Sequence, residues 1–448
     1  MLKKVLIANR GEIAVRIIRA CRELGIRTVA VYSYADRKAI HTRLADECIC
    51  IGPAQSNKSY LNIKNILEAA ILTGCDSIHP GYGFLSESSH FAKVCEECNL
   101  EFIGPSSELI DLMGMKVNCK KLMKEAGIPV LPGSDGKVKN FSELKKLVEE
   151  IGYPIMLKAA NGGGGKGIRK VESSDQLEES FNLVKRESKI SFGNDDIYVE
   201  KFVENPRHIE IQILADKFGN VVCLGERDCT IQRKHQKILE ESPSTVVDND
   251  LRVKMGEAAI KAAKAYKYFS TGTVEFLLDK NKNFYFMEMN TRIQVEHPVT
   301  EMLTGVDIVK EQLRIASGEK LRFKQEDITY KGHCIECRVN AENPEKDFMP
   351  ATGEIKELNL PGGNGVRLDT AVYSGYRIKP FYDSLIAKII VQGEDRAEAI
   401  AKMKRALDEC VIEGVTTNID YLYSILEDKD FISGNFDTSF IEQKETKR

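Results

Sequence analysis

No run of apolar residues in this 448-residue chain approaches the length of a membrane span, because charge interrupts every hydrophobic stretch. The opening Met1-Leu2-Lys3-Lys4-Val5 meets Arg10, Glu12 and Arg16 within a few turns, so the apolar centre of a secretion signal is missing. A soluble, cytoplasmic protein is expected. An excess of one sign of charge is also missing: 64 Lys and Arg stand against 67 Asp and Glu, a net charge of −3. That balance predicts no general polyanion-binding surface, so neither nucleic acid nor membrane is expected as a partner. No G-x-G-x-x-G occurs, which removes the dinucleotide fingerprint, and no low-complexity linker or internal repeat divides the chain. Cysteine is not scarce, at 12 residues. The two zinc-like pairs, Cys95-x-x-Cys98 and Cys334-x-x-Cys337, lie far apart in sequence, and free thiols in a reducing compartment are the expectation.

What is present reads as about three domains by length. The first opens strand (Val5–Ala8), loop (Asn9–Glu12), helix and strand (Thr28–Tyr32). The helix carries Ile13, Ile17, Ala20, Cys21 and Leu24 on one side and stops at Gly25. This βαβ opening predicts a parallel, doubly wound sheet that closes near Gly104-Pro105. Asp36 follows the second strand, where dinucleotide folds place a ribose-binding acid; without the glycines it reads as a surface residue. A helix over Lys116–Ala126 leads into a second unit with strands Ile155–Ala159, Ile197–Val203, Ile209–Ile213 and Val221–Leu224. From about Gly332 a strand-rich region follows: Cys334–Asn340, Gly353–Leu360, Val366–Asp369 and Ile386–Val391, then a helix over Arg396–Asp408.

The most informative segment is Phe286–His297. From Glu288 every second residue is polar: Glu288, Asn290, Arg292, Gln294, Glu296. In an extended segment these share a face. Upstream, Thr273–Asp279 is strand-like and Lys280–Asn283 reads as a turn. A hairpin centred between Asn281 and Lys282 pairs Asp279 with Phe284, and therefore Glu275 with Glu288. Opposed carboxylates repel unless a cation lies between them, and hard divalent cations take oxygen ligands. Val274, Phe276 and Leu278 against Tyr285, Met287 and Met289 would form the core face. A solvated edge pair, or a register slipped by one bulge, is the alternative.

Four further stretches carry chemistry. Lys158, inside the apolar strand Ile155–Ala159, precedes the loop Asn161-Gly162-Gly163-Gly164-Gly165-Lys166-Gly167. Glycines let backbone N–H groups approach phosphate oxygens, and lysines neutralise their charge. Ile168 and Arg169 stand where a Walker loop needs Lys and Ser/Thr, so this reads as a different phosphate loop or a mobile lid; a long flexible hairpin tip with no ligand is the alternative. Ile197–Val203 ends in the charged pair Glu200-Lys201, and His208, Glu210 and Gln212 alternate onto one face. Arg227–Lys237 gathers five cationic or potentially cationic residues, which alone read as a solvated face or a basic patch and beside a nucleotide-and-metal site could instead hold a small anion. His79-Pro80-Gly81-Tyr82-Gly83-Phe84-Leu85-Ser86-Glu87 follows a strand at the open end of the first sheet, where ligand crevices form; a tight turn with buried aromatics is the other reading.

Taken together, Lys158 with its glycine loop, Arg227–Lys237 and Glu288–His297 resemble the ATP-grasp superfamily. With Ala8-Asn9-Arg10-Gly11-Glu12-Ile13-Ala14, His79–Glu87 and Glu336-Cys337-Arg338-Val339-Asn340-Ala341-Glu342, the chain resembles biotin carboxylase from Lys4 to about Phe440. The resemblance implies an α/β fold, α+β overall, in three parts. These are a Rossmann-like N-terminal domain (1–114), an ATP-grasp domain (115–330) with a mobile Gly-rich lid at about 131–204, and a strand-rich C-terminal domain (331–448). It implies ATP-dependent carboxylation of biotin by bicarbonate, on a biotin carboxyl carrier protein, with carboxyltransferase subunits as partners and a homodimer as the assembly.

Position by position, the resemblance places Lys116 and Lys158 on ATP phosphates, with Gly164 and Gly165 in the lid. It places Glu200, Lys201, Phe202 and Val203 at the adenine and ribose, with His208, Gln232 and His235 nearby. Glu275, Glu288 and Asn290 would ligate magnesium or manganese, two ions in all. Lys237, Arg292, Gln294 and Val295 would hold bicarbonate, Glu296 would be its base, Arg338 would stabilise the biotin enolate, and Tyr82 and Gly83 would line the biotin pocket. Three departures stand out. Lys166 replaces an arginine common in the lid, Asn364 replaces an aromatic, and Arg377 and Lys379 add positive charge before Pro380. No Ala-Met-Lys-Met sequence occurs, since Ala401-Lys402-Met403-Lys404 is only a near-anagram, so the biotin carrier is expected to be a separate chain.

Overall fold

Short apolar strands alternating with amphipathic helices fold the first hundred residues into a parallel sheet. In this computed structural model, which describes residues 2–134, 136–159, 167–192 and 195–446 and omits the side chains of 116–118, 191 and 192, five strands lie in the order Glu47–Gly52, Arg27–Ser33, Lys4–Ile7, Ser77–His79, Glu101–Phe102. All pairings are parallel. The order reverses between Lys4–Ile7 and Ser77–His79, so their carboxyl ends form the crevice expected of a doubly wound sheet. Asn9 closes one side of it, donating from Nδ2 to the carbonyls of Pro80 and Tyr82, both at 2.7 Å. Gly81 has φ +62°, and a Cβ there would lie 2.9 Å from Asn9 Nδ2; only glycine allows the two loops to meet.

Asp36 is a correction to the surface role read from sequence. It is buried and takes a bidentate pair from Arg10, at 2.6 and 3.0 Å, plus the Tyr60 hydroxyl at 2.8 Å. Tyr382, from the C-terminal region, lies over the Arg10 guanidinium at 4.2 Å. The place of a ribose-binding acid is therefore taken by a salt bridge capped by an aromatic ring.

A small antiparallel sheet, Ile168–Val171, Ile155–Ala159, Ile197–Lys201, packs its apolar face under the helices Phe141–Ile151 and Leu177–Phe192. The segment before it ties this sheet to the rest: Phe286 donates to Pro129 O at 2.8 Å, and Lys201 N to Pro132 O at 2.7 Å.

The largest element is an eight-stranded antiparallel sheet. Its order is Phe284–Asn290, Ser270–Leu278, Arg207–Ala215, Val221–Arg233, Gln236–Ser242, His333–Asn340, Leu385–Gly393, Val366–Thr370. It runs without a break past residue 331, where the strand-rich C-terminal region is expected to begin, because Gln236–Ser242 pairs directly with His333–Asn340. One face carries apolar residues that pack on Arg396–Glu409 and neighbouring helices. The other carries a stripe of charge in register. Glu288, Glu275, Glu210 and Arg227 are successive cross-strand partners at one end, and Arg338, Lys388 and Asp369 at the other.

Four sequence expectations change here. Leu278, not Asp279, pairs with Phe284, and a bulge at Met287 restores the Glu275–Glu288 pairing. Phe286 therefore turns inward against Phe276, while Met287 is 40% exposed. The strand ends at Asn290, so Arg292–Glu296 is irregular rather than extended. Arg227–Arg233, read as a basic stretch, is the end of one long strand. Gly353–Leu360 is two short pieces, Gly353–Glu354 and Glu357–Asn359, paired with different partners.

Candidate active site

The charged stripe converges on one lysine. Lys237 Nζ donates to Glu210 Oε2 at 2.6 Å, Glu296 Oε1 at 2.6 Å and Glu275 Oε1 at 3.2 Å. A lysine surrounded by three acids stays charged, and its ammonium is held well above the ordinary range although burial opposes this. Glu296 is fully buried at the N-terminal edge of the helix His297–Thr304, and its second oxygen accepts from Arg338 Nη2 at 2.9 Å. Burial pushes its carboxyl up; Lys237, Arg338 and Arg227 overcome that and hold it well below the usual carboxylate range. Arg338 also donates from Nε to Glu240 Oε1 at 2.7 Å.

Loops from two parts of the chain fix Arg292. Its Nε donates to Glu87 Oε2 at 2.9 Å, Nη1 to Gln294 Oε1 at 2.9 Å and Nη2 to Asn290 Oδ1 at 3.1 Å. Gln294 and Asn290 in turn give their amide N–H groups to Glu275 Oε1, at 3.1 and 2.8 Å. Glu275 is also 3.0 Å from His208 Nε2. Burial raises its carboxyl, but Lys237 and then His208 outweigh burial and hold it far below normal. The donor set suits a hard cation: Glu275 and half-buried Glu288 oppose each other in register, and Asn290 offers an amide oxygen on the same edge. His208, Glu210 and Glu275 also place possible ligand atoms within 4.8 Å of one another. There, however, Lys237 already bonds to both carboxylates.

At the small sheet, Lys158 Nζ donates to Glu200 Oε2 at 2.7 Å, and Lys120 Nζ to Glu200 Oε1 at 2.9 Å. Burial raises Glu200, but Lys158 and then Lys120 hold it at about 2. Lys201 turns away, donating to the carbonyls of Tyr153 at 2.7 Å and Gly152 at 3.1 Å. Phe202 lies under the Lys170 ammonium at 4.7 Å, and Val203 is half-buried beside it. Gln232 Nε2 meets His208 Nδ1 at 2.7 Å, whereas His235 stands exposed at the hairpin tip with φ +64°. Tyr82 donates its hydroxyl to Glu12, and Gly83 beside it is exposed with φ +67°. Val295 enters through its carbonyl, which accepts from buried Lys388 Nζ at 2.8 Å. The expected roles of Gly164, Gly165 and the Lys116 side chain fall outside the described residues.

The basic stretch divides sharply. Lys237 alone of its cations joins the acid cluster as a partly accessible group. Arg227 is fully buried and bonded to Glu210, Gln212, Thr273 and Thr300, while Arg233 and Lys234 pair with Asp347. Sequence reasoning gave no role to Glu87, Lys120, Glu210, Glu240 or Lys388. Two of these had a signal. Glu210 sits on the His208–Gln212 alternation, and Lys388 interrupts an apolar strand just as Lys158 does. All cysteines are free, including both zinc-like pairs. Among the described residues no helix is long and apolar enough to cross a membrane.

Three family models cover the chain. They describe the biotin carboxylase N-terminal domain over residues 1–110, the ATP-binding domain of the carbamoyl-phosphate synthase L chain over 115–324, and the biotin carboxylase C-terminal domain over 336–443. Biotin carboxylase 1 of Bacillus subtilis is 58% identical over 443 residues, spanning 99% of this chain and 98% of its own. Two solved structures superpose along the same length. The biotin carboxylase–β-γ-ATP complex from Campylobacter jejuni has TM-score 0.95 at 49% identity, covering 99% of each chain. The biotin carboxylase domain dimer of Hydrogenobacter thermophilus 2-oxoglutarate carboxylase, solved with MgADP, ADP and bicarbonate, has TM-score 0.93 at 51% identity, covering 99% of this chain and 98% of that one. With an acid-ringed lysine, a clamped arginine and a match of this extent, the chain belongs to the biotin carboxylase family.

Proposed function

We propose that this protein carboxylates biotin, carried on a separate biotin carboxyl carrier protein, with ATP and bicarbonate through carboxyphosphate. The carrying observation is the Lys237 cluster. One cation touches three carboxylates, and one of these, the fully buried Glu296, is shared with Arg338. Such a pocket suits a small anion that must be bound and deprotonated at once.

Lys237, Arg292, Gln294 and the Val295 backbone hold bicarbonate, and Glu296 takes its proton. Held by Lys237 and Arg338, Glu296 is too strongly stabilised as an anion to be a good base. When Lys237 turns toward bicarbonate, that stabilisation weakens and the proton affinity of Glu296 rises. The bicarbonate oxygen attacks the γ-phosphorus and ADP leaves as its bond to that phosphorus breaks, with Lys158 and Lys116 on the phosphates and Gly164 and Gly165 closing over them. Glu200, Lys201, Phe202 and Val203, with His208, Gln232 and His235, border the nucleotide. Magnesium or manganese, held by Glu275, Glu288 and Asn290, supplies neutralising charge at the phosphates. Carboxyphosphate releases CO2 beside biotin, the departing phosphate takes the ureido proton, Arg338 stabilises the enolate oxygen between Tyr82 and Gly83, and the ureido nitrogen then bonds to the CO2 carbon.

The three family matches support division of the chain into units 1–114, 115–330 (lid about 131–204) and 331–448. A carboxyltransferase completes the cycle as partner, the protein works as a cytoplasmic homodimer, and the reaction is the first half of acetyl-CoA carboxylase. A pyruvate or propionyl-CoA carboxylase component would use the same site, and kinship to a 2-oxoglutarate carboxylase domain keeps the final acceptor open. The test is bicarbonate-dependent ATP cleavage with and without free biotin. Stimulation by biotin is expected; cleavage that ignores biotin would assign the site to another ATP-grasp ligase.

A further inference from the structure

Behind Arg338, away from the open cleft, lies a feature that the reaction above does not use. Glu240 and Glu336 are direct partners on adjacent antiparallel strands and both are fully buried. Directly opposed side chains in such a pair share a face, with Cβ atoms only about 5 Å apart. Glu240 Oε1 accepts from Arg338, but Glu240 Oε2 and both oxygens of Glu336 have no hydrogen-bond partner.

On its other side Glu336 is paired with Ile390, and Ile390 packs with Val299, Leu303 and Cys334 beneath the helix His297–Thr304. The charged groups around the acid are already engaged. Lys388 is committed to Val295 O at 2.8 Å and Glu12 Oε1 at 3.1 Å, with Asp369 Oδ2 at 3.9 Å. Arg338 is committed to Glu240 and Glu296.

We propose that Glu336 is a neutral carboxylic acid that donates its proton to the free oxygen of Glu240, and that this one-proton pair is the positioning element that holds Arg338 for the biotin step. Two buried carboxylates facing each other do not both ionise, since each raises the other's cost of charge. With one proton between them, Glu336 O–H donates to Glu240 Oε2, and the pair keeps a single negative charge. That charge faces Arg338 through Oε1. No atom is gained or lost, and the proton stays within the pair. The directions agree: burial pushes Glu336 well up against the opposing charge of Lys388, with Glu240 adding to the rise, and burial pushes Glu240 to about 7 against the pull of Arg338. Arg338 thus sits between two acids with different duties. Glu296 exchanges a proton with substrate, and Glu240, screened by Glu336, stays fixed as an anchor.

The role assigned to Arg338 rests on the proposed biotin reaction; the protonation state does not. The first measurement is therefore infrared absorption of the substrate-free protein at neutral pH. A protonated carboxyl C=O band is expected, and Glu336→Gln should remove it. No such band, or a band that survives Glu336→Gln, overturns the proposal and makes Glu336 an anion for which Lys388 would have to rearrange.

The second measurement is kinetic. Glu336→Gln keeps a donor toward Glu240 and should stay within twofold of the parent in biotin-stimulated ATP cleavage. Glu336→Leu leaves Glu240 Oε2 without a donor and should lower the biotin-stimulated kcat about tenfold, the scale of one charge-assisted hydrogen bond, while KM for ATP holds. A Gln variant as impaired as the Leu variant also overturns it. If the parent enzyme ignores biotin altogether, it is the proposed reaction that fails, and the infrared result still decides the proton.

Discussion

Two clusters in this molecule pair lysine with glutamate, and they are built in opposite ways. Around Lys237 three acids, three arginines and two amides interlock on the face of an eight-stranded sheet. Each group is held by at least two others. Around Glu200 there are two lysines and little else, on a three-stranded sheet, and the Lys158 side chain is 39% exposed. The first arrangement places charges rigidly before substrate arrives, as an electrostatic site requires. The second keeps Lys158, the lysine proposed for the phosphates, on a carboxylate from which an anion can displace it. On the proposed function, the contrast separates the residues that do chemistry from those that admit and release nucleotide.

The sharpest way to break that contrast is Glu296→Gln. Lys237 would keep Glu210 and Glu275, and Arg338 would keep Glu240, so no cation is stranded and the melting temperature should hold. Loss of the proton acceptor should lower kcat for bicarbonate-dependent ATP cleavage by about 10³-fold. A variant within tenfold of the parent would mean that the proton leaves by another route, and that the rigid cluster is only a scaffold.

A smaller effect concerns acid. Glu200 sits at about 2 in the folded state against an ordinary value of 4.5. A depressed carboxyl contributes stability that is complete above its unfolded value and disappears as pH falls toward the folded one. The small sheet should therefore loosen between about 4.5 and about 2. Amide exchange at Ile155–Ala159 and Ile197–Lys201, corrected for its intrinsic pH dependence, should accelerate across that window in the parent. In Glu200→Gln the same segments should show no such step. An identical step in both proteins would assign the transition to other acids.

The difference between the clusters also explains what could be read from the chain. The parallel sheet was legible because its signals are local: the stripe Ile13, Ile17, Ala20, Cys21 and the stop at Gly25 lie within one helix and its end. Glu288, Asn290, Arg292, Gln294 and Glu296 were legible as a set through their alternation. That the last three are not on a strand did not matter, because bonds to Glu87, Glu275 and Lys237 gather them regardless. The Met287 bulge was not legible, since Phe286 and Met287 are both apolar and either could face inward. The continuity of the large sheet was hidden for another reason. Ser242 and Cys334 are partners across a long stretch of intervening chain, and nothing local to either strand names its neighbour. Lys120 was hidden by company, one lysine among Lys116, Lys121 and Lys124 on the same helix, with nothing local to set it apart.

Lys120 gives the finest test of the comparison, because it belongs only to the looser cluster. It is four-fifths buried and holds the Glu200 oxygen that Lys158 does not. When ATP draws Lys158 to the phosphates, Glu200 would be left as a buried anion unless a second cation remained, and Lys120 is that cation. Lys120→Met should therefore strengthen the competing hold of Glu200 on Lys158 and raise KM for ATP ~2- to 5-fold, the range of a partly screened ion pair. The kcat should be unchanged, because nothing in the Lys237 cluster touches either group. Lys120→Arg should restore the parent KM, since charge rather than shape is what Glu200 lacks. A fall in kcat with KM constant would show that the two clusters are coupled, and the division between chemistry and nucleotide handling would have to be given up.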